Sequence, residues 1–204
     1  QLHNPRLDAI RKDDLFATLD DLKAQGKIRC YGVALGPAIA ERQIDEGNTA
    51  IELRHVAAVY IIYNLLEQML GQGVFPTARQ HGTSMLVRVP HASGLLDGTV
   101  TETTVFTEQD HRYHRVSTDE KKQQWQMDGL KKVKQLAFLT DGTGRTLGQA
   151  ALKFILAEPS LASVFPNIYN EHLLSECAAG SDTPDFSEAD LSRISQLYAS
   201  AFGL

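Results

Sequence analysis

The stretch RHVAAVYIIYNLL, residues 54–66, decides the fold class of this 204-residue chain. From Val56 to Ile62 it has almost no polar interruption, and it is rich in the residue types that favour strands. A strand that is apolar on both faces is typical of a parallel sheet covered by helices. The stretch therefore predicts a buried strand in an α/β protein.

Helical patterns flank this strand on the amino-terminal side. Asp13 or Asp14 can cap a helix whose apolar residues recur at helical spacing, and Gly26 is placed to end it. The segment AIAERQIDEG, residues 38–47, is helix-like again up to Gly47. Each of these segments precedes a short β-rich run, so helix and strand alternate.

The alternation continues to the carboxyl end. A helical stretch through PTARQHG is followed by the strand candidate TSMLVRVP, and a strong helix is predicted from Thr146 to Ala157. Two further helices follow, NEHLLSECAAG and one that Ser187 opens with Asp190 three residues on. Such alternation is typical of right-handed βαβ units. The five predicted strands lie near residues 1–3, 28–33, 56–62, 84–89 and 161–165.

A long insertion, residues 91–139, separates the last two strands. Its sequence TVTETTVFTEQDHRYHRVSTDEKKQQW is polar and lacks core periodicity until Trp125. Loops of this length are usually functional lids or disordered segments, and we predict an insertion loop and helix. Because no linker or repeat interrupts the chain, residues 1–204 are expected to form a single domain. The sheet is either open and doubly wound or the latter part of an eight-stranded barrel.

Composition narrows the class of function. The chain is 43% hydrophobic and has a formal net charge of -5 with interspersed signs, so we expect no nucleic-acid and no membrane partner. No apolar run reaches the roughly 18 residues that a membrane span needs. Cys30 and Cys177 lie far apart and are expected to be reduced, Cys30 in the core, which fits a cytoplasmic protein. A small-molecule substrate is the expected ligand.

Five strings, in order and at suitable distances, carry a resemblance to a known family. They are LHNP, LFATLDDLKAQGKIRCYGVALG, YNLLEQ, LVRVPHASGLLDG and VFPNIYNEHLLSE. The chain resembles the aldo/keto reductase family from its fourth barrel strand to its carboxyl end. The resemblance implies a partial (β/α)8 TIM barrel, strands four to eight with their helices. It also implies NADP as cofactor and hydride transfer to a small-molecule carbonyl, an aldehyde or ketone, with the substrate itself unspecified.

His3 is the candidate catalytic residue. The family places the His of its Asp, Tyr, Lys and His tetrad at the end of the fourth strand in a His-x-Pro context, which matches His3 and Pro5. The other three members have no match in this sequence, so we expect a fragment whose amino-terminal part is missing. Because a proton donor at the carbonyl oxygen is then lacking, the isolated chain is predicted to be inactive.

The resemblance also implies a set of cofactor-binding residues, with departures from the family pattern. Ala34 and Leu35 stand where the family often has Ser-Asn, Tyr60 where it has Gln, and Arg88 where it has a stacking ring. Tyr169 lies near the position expected to bind the 2′-phosphate, so the preference for NADPH over NADH is inherited rather than visible. The full predicted set is Asn4, Ala34, Tyr60, Arg88, Pro90, Gly94, Leu96, Pro166, Asn167, Asn170 and Glu176.

Two other stretches contain residue types found in binding sites. DHRYH, residues 110–114, has metal-ligand residue types, but a polar loop without a metal is favoured because convergent ligands are not indicated. DGTGRTLG, residues 141–148, follows a helix and is interpreted as a loop between helices. A non-catalytic module that binds a nucleotide or a partner through an open strand edge remains the alternative. Open, apolar edges also predict possible self-association.

Overall fold

The computed structural model describes residues 1–114 and 118–204, and they form two compact units. The first unit comprises Gln1–Tyr63, Glu67–Arg88 and Ile155–Phe165. The second comprises Asn64–Leu66, Val89–Phe154 and Pro166–Leu204. The sequence-based expectation of a single domain stays a prediction.

A five-stranded parallel sheet forms the first unit. The strands follow one another across the sheet in chain order, so the described sheet contains none of the order reversal that a doubly wound sheet requires. The strands are β1 Leu2–His3, β2 Gly32–Ala34, β3 Ala58–Ile62, β4 Ser84–Arg88 and β5 Leu161–Phe165. All five predicted strands are therefore present in an α/β fold.

The second strand lies later in the chain than predicted. The sequence suggested residues 28–33, whereas β2 is Gly32–Ala34, and Cys30 is exposed, so its expected place in the core is wrong. Gly32 is the first residue to pair with β3, opposite Ala58. A Cβ on Gly32 would clash with the carbonyl oxygen of Ala58, so this close approach of backbones needs glycine.

Helices α3 and α4 pack together beside this sheet. The other helices of the first unit are α1 Leu7–Ile10 and α2 Asp13–Ala24; α3 is Arg42–Arg54 and α4 is Met69–His81. The sequence suggested that this helix ends at Gly47, but α3 continues to Arg54. A Cβ on Gly47 would lie 3.2 Å from Val74 Cγ2 and 3.3 Å from Leu35 Cδ1, so this glycine permits tight packing instead of ending a helix.

The second unit is mostly helical. It contains α5 Asp119–Lys134, most of α6 Leu147–Leu156, α7 Glu171–Ala179 and α8 Glu188–Ala199. Short 3₁₀ turns occupy Ala92–Gly94, His111–His114, Ala137–Leu139, Gly180–Asp182 and Ala201–Gly203. The predicted capping of α8 is confirmed, because Ser187 Oγ accepts from the Asp190 N–H and Asp190 accepts from the Ser187 N–H.

Much of the predicted insertion is helical and anchored in the core of the second unit. Helix α5 begins at Asp119, six residues before Trp125, with Thr118 as its N-cap. Leu95 and Leu96 are 3% and 1% exposed and pack in a core that also holds Leu136 and Leu139. Because only a narrow stripe of α5 is buried, the apolar pattern of the sequence did not show where this helix begins. None of the described helices is long and apolar enough to cross a membrane.

Candidate functional site

Three of the predicted site residues of the first unit share one row of the sheet. His3 is in register with Ala34, and Ala34 is in register with Tyr60. Register partners in a parallel sheet point to the same face, and the carboxyl ends of parallel strands are where ligands of such sheets bind. The sheet therefore brings these residues to one face near one end.

The end of β1 is tied to the end of β2. The Asn4 N–H donates to the Ala34 carbonyl oxygen at 2.8 Å, and Asn4 has a φ of +53°. Asparagine tolerates this left-handed conformation better than most residues. His3 is exposed, whereas the methyl group of Ala34 is only 7% exposed. Of the two, only His3 offers a polar side chain to a ligand.

Tyr60 is held in an aromatic pair. Its ring meets the ring of Phe165 edge to face, with a centroid separation of 5.3 Å. Burial raises the pKa of the Tyr60 hydroxyl, and the nearby Arg88 charge lowers it by less. The hydroxyl therefore stays protonated at neutral pH and can act as a hydrogen-bond donor.

Arg88 crosses from β4 to the turn that follows β2. Its Nη2 donates to the carbonyl oxygens of Leu35, at 2.9 Å, and Gly36, at 2.6 Å, and its guanidinium carbon lies 5.5 Å from the centroid of the Tyr60 ring. Its Nε is buried and has no hydrogen-bond partner among the described residues. Burial lowers the pKa of Arg88, yet an arginine remains charged. A fixed positive charge with an unused donor thus lies at this end of the sheet.

The turn of the second unit that holds the predicted cofactor contacts Pro90, Gly94 and Leu96 has an unusual backbone. Val89, Ala92 and Ser93 have φ values of +58°, +48° and +59°, and Gly94 and Gly98 have values of +101° and +76°. Such values are rare for a β-branched residue such as Val89, and they cluster at functional sites where the surrounding structure holds them. Pro90 and Leu96 are buried, and the N–H groups of Gly94, Leu95 and Leu96 already donate to the carbonyl oxygens of His91 and Ala92. The exposed part of the turn is its end at Gly98.

His91 lies buried beneath this turn. It is 6% exposed, its Nε2 lies 3.2 Å from the Gly148 carbonyl oxygen, and its Nδ1 lies 3.5 Å from Asp97 Oδ2. Desolvation lowers the pKa of His91 more than Asp97, the Gly148 carbonyl and Glu176 together raise it. The ring is therefore neutral at pH 7 and carries one proton. Both nitrogens face acceptors, and because the Nε2 contact is the shorter of the two, we assign the proton to Nε2.

Glu176 is engaged within the second unit. Its Oε1 accepts from Thr146 Oγ1 at 2.5 Å, and Gln149 Nε2 donates to its backbone carbonyl at 3.2 Å. The carboxylate thus lies at the amino-terminal end of α6, where helix N–H groups favour negative charge. A Cβ on Gly148 would lie 3.0 Å from Glu176 Oε1, so this glycine gives the carboxylate room.

The segment after β5 presents a capped helix end. Asn167 and Asn170 are exposed and Pro166 is partly buried. Asn170 Oδ1 accepts from the Leu173 N–H at 2.8 Å, which uses one of the free N–H groups that α7 could offer to a phosphate. The helix start expected near Asn170 is confirmed, while its role in binding stays a prediction.

Arg112 also contacts the turn that holds Gly94, although no sequence motif indicated it. Its guanidinium makes a two-pronged pair with Asp110, and its Nη1 donates to the Ser93 carbonyl oxygen at 3.3 Å. A Cβ on Gly94 would lie 2.8 Å from Arg112 Nη1. The contact between Arg112 and Ser93 joins residues 19 positions apart, so no local sequence pattern predicts it. The described residues include no group of three or more His, Cys, Asp or Glu that could hold a metal, and the side chains of His111 and His114 lie outside the described ones.

A model of the aldo/keto reductase family matches residues 1–199. The chain belongs to the aldo/keto reductase family. No curated protein matches it. One similar solved structure is the glycerol dehydrogenase AKR11B4 from Gluconobacter oxydans, 21% identical with a TM-score of 0.74; the match covers 98% of this chain and 57% of that one. Another is the holo form of aldo-keto reductase AKR11C1 from Bacillus halodurans, 23% identical with a TM-score of 0.67, covering 97% and 59%.

The similarity to these two solved structures concerns the fold and not the reaction. At identities below a quarter, the two solved structures show that this aldo/keto reductase chain shares their fold, and they do not carry their substrates to it. The chain spans less than two thirds of the length of either. Family membership supports an oxidoreductase function, and the roles of individual residues remain predictions.

Proposed function

We propose that this chain supplies barrel strands four to eight of an NADP-dependent aldo/keto reductase. The observation that carries the proposal is the five-stranded parallel sheet in chain order, with His3, Ala34 and Tyr60 in one row at its carboxyl end. A barrel wall has this strand order, and barrel enzymes build their sites at that end. The Asp, Tyr and Lys that the resemblance pairs with His3 have no match in the 204 residues, so the proposal assigns them to a further segment of the barrel.

Residues of both units fit a dinucleotide, each unit taken by itself. In the first, the half-buried guanidinium of Arg88, held by the Leu35 and Gly36 carbonyls, is a fixed positive charge that suits an anionic group of the ligand. In the second, the turn from Gly94 to Gly98, at its exposed Gly98 end, and the amino-terminal end of α7 at Asn170 are proposed to face the phosphates. The remaining predicted contacts are proposed for each unit by itself: Asn4 in the first unit, and Pro90, Pro166, Asn167 and Glu176 in the second.

His3 and Tyr60 perform the chain's own part of the reaction. When bound, NADPH supplies the hydride that reduces an aldehyde or ketone carbonyl. The exposed imidazole of His3 donates a hydrogen bond to the carbonyl oxygen and orients it. Tyr60, edge to face with Phe165, keeps its own proton because burial raises its pKa, so it positions the ligand without acting as the acid. The acid is proposed to be the Tyr of the further segment.

Binding and turnover of NADPH test the two halves of the proposal separately. Quenching of protein fluorescence should show NADPH binding to the purified 204-residue chain, and Arg88→Met should weaken it. NADPH absorbance should show no oxidation with any aldehyde or ketone above the rate without protein. Oxidation by the isolated chain would refute the assignment of the proton donor elsewhere. Failure to bind NADPH would refute the cofactor assignment and favour the partner-binding alternative.

We also propose that the chain is cytoplasmic and self-associates through its sheet edges. The described sheet ends at β1 and at β5, where Phe165 is 46% exposed. Unpaired strand edges offer N–H and C=O groups to another chain. Sedimentation should detect dimers or larger species at micromolar concentration, and a monomer that melts cooperatively would contradict self-association. Cell fractionation tests the compartment.

A further inference from the structure

The buried group that the proposed mechanism leaves unused is His91. It is enclosed by residues of three elements of the second unit: Asp97 in its own turn, the Gly148 carbonyl in α6, and Glu176 in α7. The side chains of Asp97 and Glu176 are themselves only 9% and 15% exposed. The imidazole faces these two carboxylates. Asp97 also interacts electrostatically with the Arg112 guanidinium, both carboxylates raise the pKa of the Cys177 thiol, and Glu176 lies 4.0 Å from His172 Nε2.

Among the described residues, only one of the two carboxylate oxygens of Asp97 accepts hydrogen bonds. Its Oδ1 accepts from the Thr99 N–H at 3.0 Å and from Thr99 Oγ1 at 2.7 Å. Its Oδ2 faces His91 Nδ1 at 3.5 Å, with no other partner among the described residues. Since Nε2 carries the proton of the neutral ring, Nδ1 and Oδ2 are both acceptors, and no hydrogen bond joins them. One added proton at Nδ1 would join them and complete a chain from Thr99 through Asp97 and His91 to Gly148.

We propose that His91 is a positioning residue that takes up a proton from solvent at Nδ1 when an anionic phosphate binds on its turn, and so fastens the turn to α6. This inference rests on the proposed function, because that function places the dinucleotide phosphates on Gly94–Gly98. Burial keeps the free ring neutral, with its pKa below the ordinary value. A phosphate on the turn adds its negative charge to those of Asp97 and Glu176, and this charge favours the imidazolium. The Arg112 guanidinium, which pairs with Asp110 and contacts the Ser93 carbonyl, partly offsets it.

Linkage then requires that protons and nucleotide bind cooperatively. If phosphate favours the protonated ring, protonation must favour phosphate by the same factor. The affinity for NADP⁺ should therefore rise as the pH falls from about 7.5 to about 5.5, by about fivefold or more if the coupling is typical of linked sites. The proton enters from the buffer, so binding should also consume a measurable fraction of one proton.

Calorimetry of NADP⁺ binding in buffers of different ionisation enthalpy measures this proton uptake directly. His91→Gln keeps an N–H donor for the Gly148 carbonyl but cannot titrate, so we expect the uptake to fall by the share that His91 contributes. Asp97→Asn keeps the shape of the turn and should reduce the uptake as well. His81→Gln, which changes an exposed histidine at the end of α4, is the matched control and should leave the uptake unchanged. Comparing variants removes the contribution of the 2′-phosphate, which titrates in the same range.

The outcomes separate this inference from the proposed function. Equal proton uptake by the unmodified chain and by the His91→Gln variant, with NADP⁺ still bound, would overturn the role of His91 alone. Absence of NADP⁺ binding to the unmodified chain would overturn the proposed function, and the role of His91 with it. Should the His91→Gln variant fail to fold, unchanged uptake in Asp97→Asn would still overturn the proposal, because the imidazolium would then have no partner at Oδ2.

Discussion

Replacing Arg88 by methionine tests whether this side chain holds the end of the sheet together. Met has a similar length and an apolar stem, so the change removes the guanidinium while leaving most of the packing. The carbonyl oxygens of Leu35 and Gly36 then lose the Nη2 donor at 2.9 and 2.6 Å. The ring of Tyr60 loses the cation above it.

Opposing contributions set the size of the effect. A hydrogen bond to a charged group contributes about 1.5–3 kcal/mol, and a cation near a ring contributes about 0.5–1 kcal/mol. Against these, the unpaired buried Nε of Arg88 costs about 1–3 kcal/mol, which the substitution relieves. The residue is also half-buried, so water can replace part of what is lost. We expect Arg88→Met to lower the free energy of unfolding by about 1–2 kcal/mol.

Urea unfolding followed by circular dichroism measures this change. The midpoint should fall while the slope with denaturant stays the same, because the folded surface is unaltered. Arg79→Met is the matched control: it removes a guanidinium from the same unit, but one whose 2.8 Å pair with Glu158 is exposed on the arginine side. Such pairs contribute about 1 kcal/mol or less. If Arg88→Met is no less stable than Arg79→Met, the bracing role of Arg88 is refuted.

Three more changes test other parts of the structure. Gly71→Ala should lower the free energy of unfolding by about 1–3 kcal/mol in the same urea assay, because its Cβ would clash with the buried Tyr63 ring, and an unchanged midpoint would contradict that packing. Ser187→Ala should cost about 0.5–2 kcal/mol, since the Asp190 N–H loses its cap; thermal melting measures it. The pKa of His91 is lowered in the folded chain, so below about pH 6.5 the unfolded chain binds more protons than the folded one. The free energy of unfolding without ligand should therefore fall as the pH falls through this range, and His91→Gln should make that fall smaller.

Local patterns were sufficient where a single segment determines its own structure. The apolar run from Val56 to Ile62 became β3, and Ser187 with Asp190 capped α8, because burial on both faces and a cap three residues apart are local properties. Sequence patterns failed to predict the ends of elements that depend on a residue distant in the sequence. Gly47 continues α3 because Val74 of α4 lies against it, and β2 begins only where Gly32 meets Ala58.

The candidate site divides in the same way. His3 and Arg88 could be singled out in the sequence because they stand in LHNP and LVRVPHASGLLDG, two of the strings that carry the family resemblance. The groups that contact these residues could not be identified from the sequence. Nothing near Arg88 in the sequence indicates the Leu35 and Gly36 carbonyls it contacts, more than fifty residues earlier. Glu176 was singled out for a ligand, whereas its carboxylate also accepts from Thr146.

The α/β class, the number of strands and the family could be predicted from consecutive residues, because periodicity, turn residues and short motifs are local features. Which groups meet depends on the folded chain: His3, Ala34 and Tyr60 lie in one row, the Arg88 guanidinium lies on the turn after β2, and His91 lies between Asp97 and Gly148. The physical reason is that hydrogen bonds and charges act over a few ångströms of space, and folding sets those distances independently of separation along the chain.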